Sequence, residues 1–129
     1  MSAKSVSALT DMLRGIAPKL DVCAYEFISD PDGHTHLPDS AFALIKEDEG
    51  STLVLAKGAG EQGHFARITL QVYSDLAGVG LTAAVSSALA GAGIACNVIA
   101  AFHHDHVFVP WERRDEAVEL LQSLSAQKG

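Results

Sequence analysis

Ala66-Arg67-Ile68-Thr69-Leu70-Gln71-Val72-Tyr73 alternates without a break, with Ile68, Leu70 and Val72 on one side and Arg67, Thr69, Gln71 and Tyr73 on the other. Successive side chains of a strand point to opposite faces. One face therefore meets a core, and the other faces water or a partner. A polar turn, Ser74 to Gly78, leads into a helix from Val79 to Ala92, whose Leu81, Val85, Ala88, Leu89 and Ala92 form one apolar stripe. Gly91 and Gly93 end it. Ile94 to Phe102 reads as another strand, His103-His104-Asp105 as a turn, and His106 to Val109 as a further strand. Pro110 takes the first-turn position of a last helix with Ala117, Leu120, Leu121 and Leu124 buried, frayed after Ser125. The order strand, helix, strand, strand, helix is a ferredoxin-like split β-α-β unit without its last strand.

Upstream residues can supply the missing edge. Leu9, Met12, Leu13 and Ile16 have helical spacing, giving a helix from about Ser5 to Gly15 that ends before Pro18. Val22 to Ser29 reads as a strand, and Asp30-Pro31-Asp32-Gly33 with Pro38 as a loop. Ala41 to Lys46 reads as a short helix closed by the acidic turn Glu47-Asp48-Glu49-Gly50, and Thr52 to Ala56 as a strand. The short connection from Thr52–Ala56 to Ala66–Tyr73 predicts that these two strands pair as a hairpin, with Val22–Ser29 extending the same edge. The expected whole is one α+β domain over residues 1–129, with a mainly antiparallel sheet of about five strands and helices on one face. Residues 1–64 give a helix and edge strands, and residues 65–125 the core β-α-β-β-α unit. Cys23 and Cys96 then lie on opposite sheet edges, about four strand spacings of ~4.8 Å apart, too far for a disulfide.

Composition narrows the function classes. Nine Lys and Arg against sixteen Asp and Glu leave a net charge of −7, and the one adjacent basic pair is Arg113-Arg114, so no nucleic-acid partner is expected. A chain that is 48% hydrophobic and 19% charged is not disordered. Leu76 to Phe102 lacks any Asp, Glu, Lys or Arg, yet Gly78, Gly80, Gly91, Gly93, Ser86, Ser87 and Asn97 interrupt it, which argues for a soluble core rather than a membrane span. The N-terminal Met1-Ser2-Ala3-Lys4-Ser5 has no export signal, and there is no CxxC, so a reduced cytoplasmic setting is expected.

The run Ile68 to Leu81 resembles the opening of an ACT domain, where a strand ends in a polar turn and a glycine-containing loop before the first helix. Val79-Gly80-Leu81-Thr82-Ala83-Ala84, Ala95-Cys96-Asn97-Val98 and His104-Asp105-His106-Val107-Phe108-Val109-Pro110 are similar to small bacterial ACT-like proteins, akin to the ACT modules of the cytosolic arginine sensor of animal cells. Glu47 to Leu55 is a weaker echo upstream. The resemblance implies a non-catalytic regulatory module that binds an amino acid or another small metabolite at a subunit interface, with no cofactor. It places the ligand at Ser74, Asp75, Leu76, Ala77, Gly78, Val79 and Gly80, completed by the strand carrying Cys96, Asn97 and Val98, often from a partner subunit.

The residues are suited to that chemistry. Gly78 and Gly80 permit left-handed backbone and close approach. The helix start offers unpaired N–H groups and a positive dipole end for a carboxylate, while Asp75 can accept from an ammonium and Ser74 adds a hydroxyl. The bland alternative is that the glycines only cap a helix and Asp75 is its N-terminal cap. Gly78-Val79-Gly80-Leu81-Thr82-Ala83 also fits a dinucleotide fingerprint. Four residues nevertheless separate it from the strand, and no acidic residue follows near Val98. His103, His104 and His106 with Asp105 are chemically adequate zinc ligands, to be completed by His34, His36 or His64. Consecutive residues at a turn diverge, so a hairpin whose His106 faces core and whose Asp105 bonds backbone amides is favoured. Arg113, Arg114, Asp115 and Glu116 read as a wet helix face. Nothing fits a nucleophile motif, so a histidine-based metalloenzyme ranks below a ligand-free oligomerisation domain as an alternative. Thr82, Ala83, Ser86, Ser87 and Ala90, small and uncharged on the helix face away from its stripe, predict a homodimer contact there or along Ile94–Phe102.

Overall fold

Pro18 does more than stop a helix: it opens the longest strand of the molecule. The structure, a computed structural model, describes residues 8–31, 37–58, 64–72 and 79–126. Within them α1 spans Leu9–Arg14, β1 Pro18–Asp30, β2 Ala41–Glu47, β3 Gly50–Ala56 and β4 Phe65–Leu70. They are followed by α2 (Leu81–Gly91), β5 (Asn97–Ala100), β6 (Asp105–Pro110), a 3-10 turn (Trp111–Arg113) and α3 (Arg114–Ala126). Met12 and Ile16 of the predicted first stripe are buried, and the predicted start at Ser5 lies outside the described residues.

The strands form one antiparallel sheet in the order β2-β3-β1-β4-β6-β5. The last three are the expected split unit: β4 and β5 run parallel with β6 between them and α2 as the crossover. Two expectations are corrected. Residues 41–46 are strand, not helix, because Glu47 pairs with Gly50 across a two-residue turn and zips the segment onto β3. This makes six strands rather than five. Gly50 sits at φ 135°, and a Cβ there would lie 2.7 Å from the Cα of Pro31, so the turn requires glycine. The second correction is that β3 does not pair with β4. One edge of β3 is taken by β2 and the other by the second half of β1, so β4 joins the free edge of β1 instead. The eight residues between β3 and β4 are long enough to pass one strand. β1 is thus the upstream element that completes the split unit. Cys23 and Cys96 are consequently three strands apart, not four, and both thiols are free.

Ala66, Ile68 and Leu70 of β4 and Val107 and Val109 of β6 face the helices, packing with Leu81, Val85 and Leu89 of α2 and Ala117 and Leu121 of α3. Pro110 ends β6 instead of starting a helix, and the 3-10 turn stands between it and α3. Arg113 and Arg114 are not simply a wet face. Arg113 donates to the carbonyls of Ala92 and Gly93 at 3.1 and 3.4 Å, closing the C-terminal end of α2. Arg114 stacks 3.9 Å over the Trp111 ring.

The face away from the helices is not open water either. Phe42 of β2 lies 5.8 Å from the Phe108 ring and 4.9 Å from the His106 ring of β6, centroid to centroid. In a flat sheet strands four places apart would be separated by roughly 19 Å. The sheet must therefore curl, folding the β2–β3 hairpin over its own concave side. Tyr25, Phe27, Phe65 and Ile99 join Phe42 and Phe108 in this second core, its aromatic rings in edge-to-face pairs each contributing about 0.5–1.5 kcal/mol beyond area burial.

Candidate functional site

The expected ligand residues are distributed as follows. Ser74, Asp75, Leu76, Ala77 and Gly78 lie outside the described residues. Val79 is 81% exposed, and Gly80 adopts φ 101° immediately before α2, which begins with no side-chain cap. A Cβ at Gly80 would meet Leu9 Cδ2 at 3.2 Å, so a side chain here would press on α1 as well as strain the backbone. Cys96 and Val98 pack against the helix-side core, whereas Asn97 is exposed and opposite Phe108 on the concave side. Within one chain Asn97 stands at the far end of β5 from the α2 entrance, since Ala100, not Asn97, lies level with Asp105 and Leu70.

The histidine turn spreads its side chains as its geometry requires. His103 is exposed, His104 Nδ1 lies 3.4 Å from the Val72 carbonyl oxygen, and Asp105 is buried on the helix side level with Leu70. Burial raises the Asp105 pKa, with the His104 charge opposing. His106 turns to the concave side, against Phe42 rather than into the helix-packed core. Among the described residues no group of three or more His, Cys, Asp or Glu could hold a metal ion.

His106 instead lines a polar cleft of about 310 Å³. β1 contributes Lys19 and Asp21 to it, β4 Arg67 and Thr69, with Gln71 just beyond, and His104 stands at the β6 end. A bulge creates the geometry: between the pairs Leu20–Ile68 and Ala24–Ala66, three residues of β1 oppose the single Arg67 of β4. The extra residues throw Val22 out to 80% exposure and let the Asp21 carboxylate turn back to accept from the Cys23 amide at 3.0 Å. Asp21 also accepts from the Tyr25 hydroxyl at 2.9 Å and from Arg67 Nη2 at 3.1 Å. Burial alone would raise its pKa, but the Cys23 amide, the Tyr25 hydroxyl and Arg67 together hold it below the ordinary aspartate value.

Arg67 is the hub. Its Nε donates to the Tyr25 hydroxyl at 3.1 Å and its Nη1 to Thr69 Oγ1 at 3.2 Å, and Cζ stacks 4.4 Å over the Phe42 ring. Nη1 also lies 3.4 Å from His106 Nδ1, which is 2.9 Å from Thr69 Oγ1. A guanidinium only donates, so Nδ1 is the acceptor and the ring proton sits on Nε2. Burial first, then the charges of Arg67 and His104, push the His106 pKa down to about 4, so the ring is neutral at physiological pH.

The strand alternation already put Arg67, Thr69 and Gln71 on one face. Lys19 and Asp21 carry no such mark in the sequence, because neither the bulge nor the pairing of β1 with β4 has a local signal.

A curled antiparallel sheet closed on one side by helices, with a β-α-β-β-α unit whose missing strand comes from upstream, defines an α+β architecture. The ACT domain model matches residues 66–123, and through this region the chain belongs to the ACT domain family. A Vibrio cholerae protein of unknown function, described as a possible transport protein, is similar in structure at a TM-score of 0.70. It is 38% identical, over 85% of this chain and 89% of that one. An Agrobacterium tumefaciens protein, 18% identical over 84% of this chain and 87% of that one, shares the fold at a TM-score of 0.64. No curated protein matches the chain. No described helix is long and apolar enough to cross a membrane.

Proposed function

We propose that the chain is a non-catalytic regulatory module of the cytoplasm that binds an amino acid at the entrance of α2 and works as a homodimer. The observation that carries the reading is the bare start of α2: the N-cap residue Gly80 is left-handed and has no side chain with which to cap the first-turn amides. Ser74, Asp75 and the residues to Gly80 supply the rest of the zwitterion clamp. The exposed position of Asn97 supports the dimer reading. Antiparallel pairing of two β5 edges carries a partner's Asn97 toward the Ala100 end of this strand, the end on which α2 begins.

Ligand binding to one folded or assembled state acts by mass action, shifting populations toward it. Thermal unfolding against the twenty amino acids, common nucleotides and divalent metals tests the reading. A ligand at 100 times its dissociation constant adds about 2.7 kcal/mol, a shift of several degrees for a chain of this size. The expected result is a response to one amino acid or a few, abolished by Asp75→Ala with the unliganded melting temperature unchanged. One observation favours a second reading. Leu9 fills the space beside Gly80, so the elbow can be a packing device in a ligand-free assembly domain, for which silence across the whole panel is the expected outcome.

A further inference from the structure

The cleft between β1, β4 and β6 is separated from α2 by the sheet itself, so what it does is independent of the α2 entrance. Lys19 and Arg67 bring two positive charges to it against the single negative charge of Asp21, in a chain whose net charge is −7. The Asp21 oxygens are already met by the Cys23 amide, the Tyr25 hydroxyl and Arg67. Donors are what remain. Of the five N–H groups of a guanidinium, those of Arg67 directed to Tyr25, Thr69, His106 and Asp21 account for four. The fifth, the Lys19 ammonium and the Nε2–H of His106 have no acceptor in this network. Stacking on Phe42 and the bond to Asp21 hold the guanidinium in place before any guest arrives, so little ordering cost attends binding.

We infer that this cleft is a binding site for a small organic monocarboxylate, its carboxylate held by Lys19 and Arg67 and its other polar atoms by Thr69 and Gln71. The volume, about 310 Å³, is at the lower limit of small-molecule sites, which suits acids of a few carbons. One surplus positive charge matches a monoanion rather than a phosphate dianion. The polar lining suits a hydroxy or oxo acid more than a fatty one.

Calorimetric titration of the whole chain with pyruvate, lactate, 2-oxovalerate and 4-hydroxybutyrate tests this, with inorganic phosphate, glycerol 3-phosphate and propionamide alongside. At least one of the four acids is expected to bind, with propionamide silent. Lys19→Glu is expected to weaken that acid at least tenfold and Lys19→Arg to keep it within a few-fold. Lys19 is exposed, so both variants should melt like the wild type without ligand. Gln71→Glu, also at an exposed position, is a second charge change expected to weaken binding. Asp75→Ala is expected to leave the acid's affinity unaltered even if it abolishes an amino-acid response, which keeps the two sites' failures distinct. Silence of all four acids, a response confined to the phosphates, equal binding of propionamide, full affinity in Lys19→Glu, or loss of the acid in Asp75→Ala would each overturn the inference.

Discussion

His106 lies between a fixed cation and an aromatic ring, and that placement decides when it carries charge. Its folded pKa of about 4 is below the ordinary 6.5, so on acidification the unfolded chain takes up the proton first. Stability is therefore complete above about pH 6.5 and falls as the pH drops toward 4. The difference corresponds to about 3 kcal/mol at 1.36 kcal/mol per pKa unit. His64 acts in the opposite sense: its bond to Glu26 raises its pKa, so its contribution is present below the unfolded value and lost as the pH rises through the folded one. A variant isolates the first effect. His106→Gln keeps an acceptor and a donor but cannot titrate, and the urea midpoint of this variant is expected to change less between pH 7.5 and 4.5 than that of the wild type. An equal fall in both proteins would show that His106 does not carry the acid sensitivity.

At the scale of elements, the β2–β3 hairpin shows what was legible in the sequence and what was not. The split unit could be read because each of its parts has its own period: two in Ile68, Leu70 and Val72, and nearly four in Leu81, Val85 and Leu89. Residues 41–46 are too few to distinguish the periods, and what makes them a strand is distant, namely β3 beside them and Phe108 beneath Phe42. The turn Glu47 to Gly50 is legible, but its role as a tight hairpin depends on Pro31 standing against Gly50. The cleft failed to appear for the same reason, since its Asp21–Arg67 pair joins residues 46 positions apart through a bulge. Gly50→Ala measures how much the hairpin depends on that contact. Its Cβ would have to displace backbone at a φ that L-residues avoid, so a loss of about 2–3 kcal/mol is expected by strain alone. Denaturant unfolding reads it directly. A change within about 0.5 kcal/mol, the range of ordinary surface substitutions, would mean that the turn relaxes freely.

For the whole molecule, the proposed homodimer requires that one edge of the sheet meet a second copy. The two edges differ in chemistry. β2 ends in Lys46 and Glu47, charges of the kind that blunt an edge against pairing, and its hairpin is already folded onto the concave side. β5 is Asn97-Val98-Ile99-Ala100, without charge, hydrogen-bonded among the described residues to β6 on one side alone, and connected to the small-residue face of α2, where Thr82, Ala83, Ser87 and Ala90 are exposed. An antiparallel β5–β5 contact would extend the sheet through a two-fold axis and set the two α2 faces on the same side. In an antiparallel strand, alternate residues direct their amides to opposite neighbours. Of Val98 and Ile99, one must therefore address β6 and the other the open edge. Proline removes the amide, and an edge strand tolerates it only where that amide faces outward. Two single variants, Val98→Pro and Ile99→Pro, thus carry their own control. One is expected to be unstable through loss of a β6 bond, and the other to melt near the wild-type temperature but sediment as a monomer at high micromolar concentration, where the wild type sediments as a dimer. A monomeric wild type, or a folded proline variant that remains fully dimeric, would remove β5 from the interface.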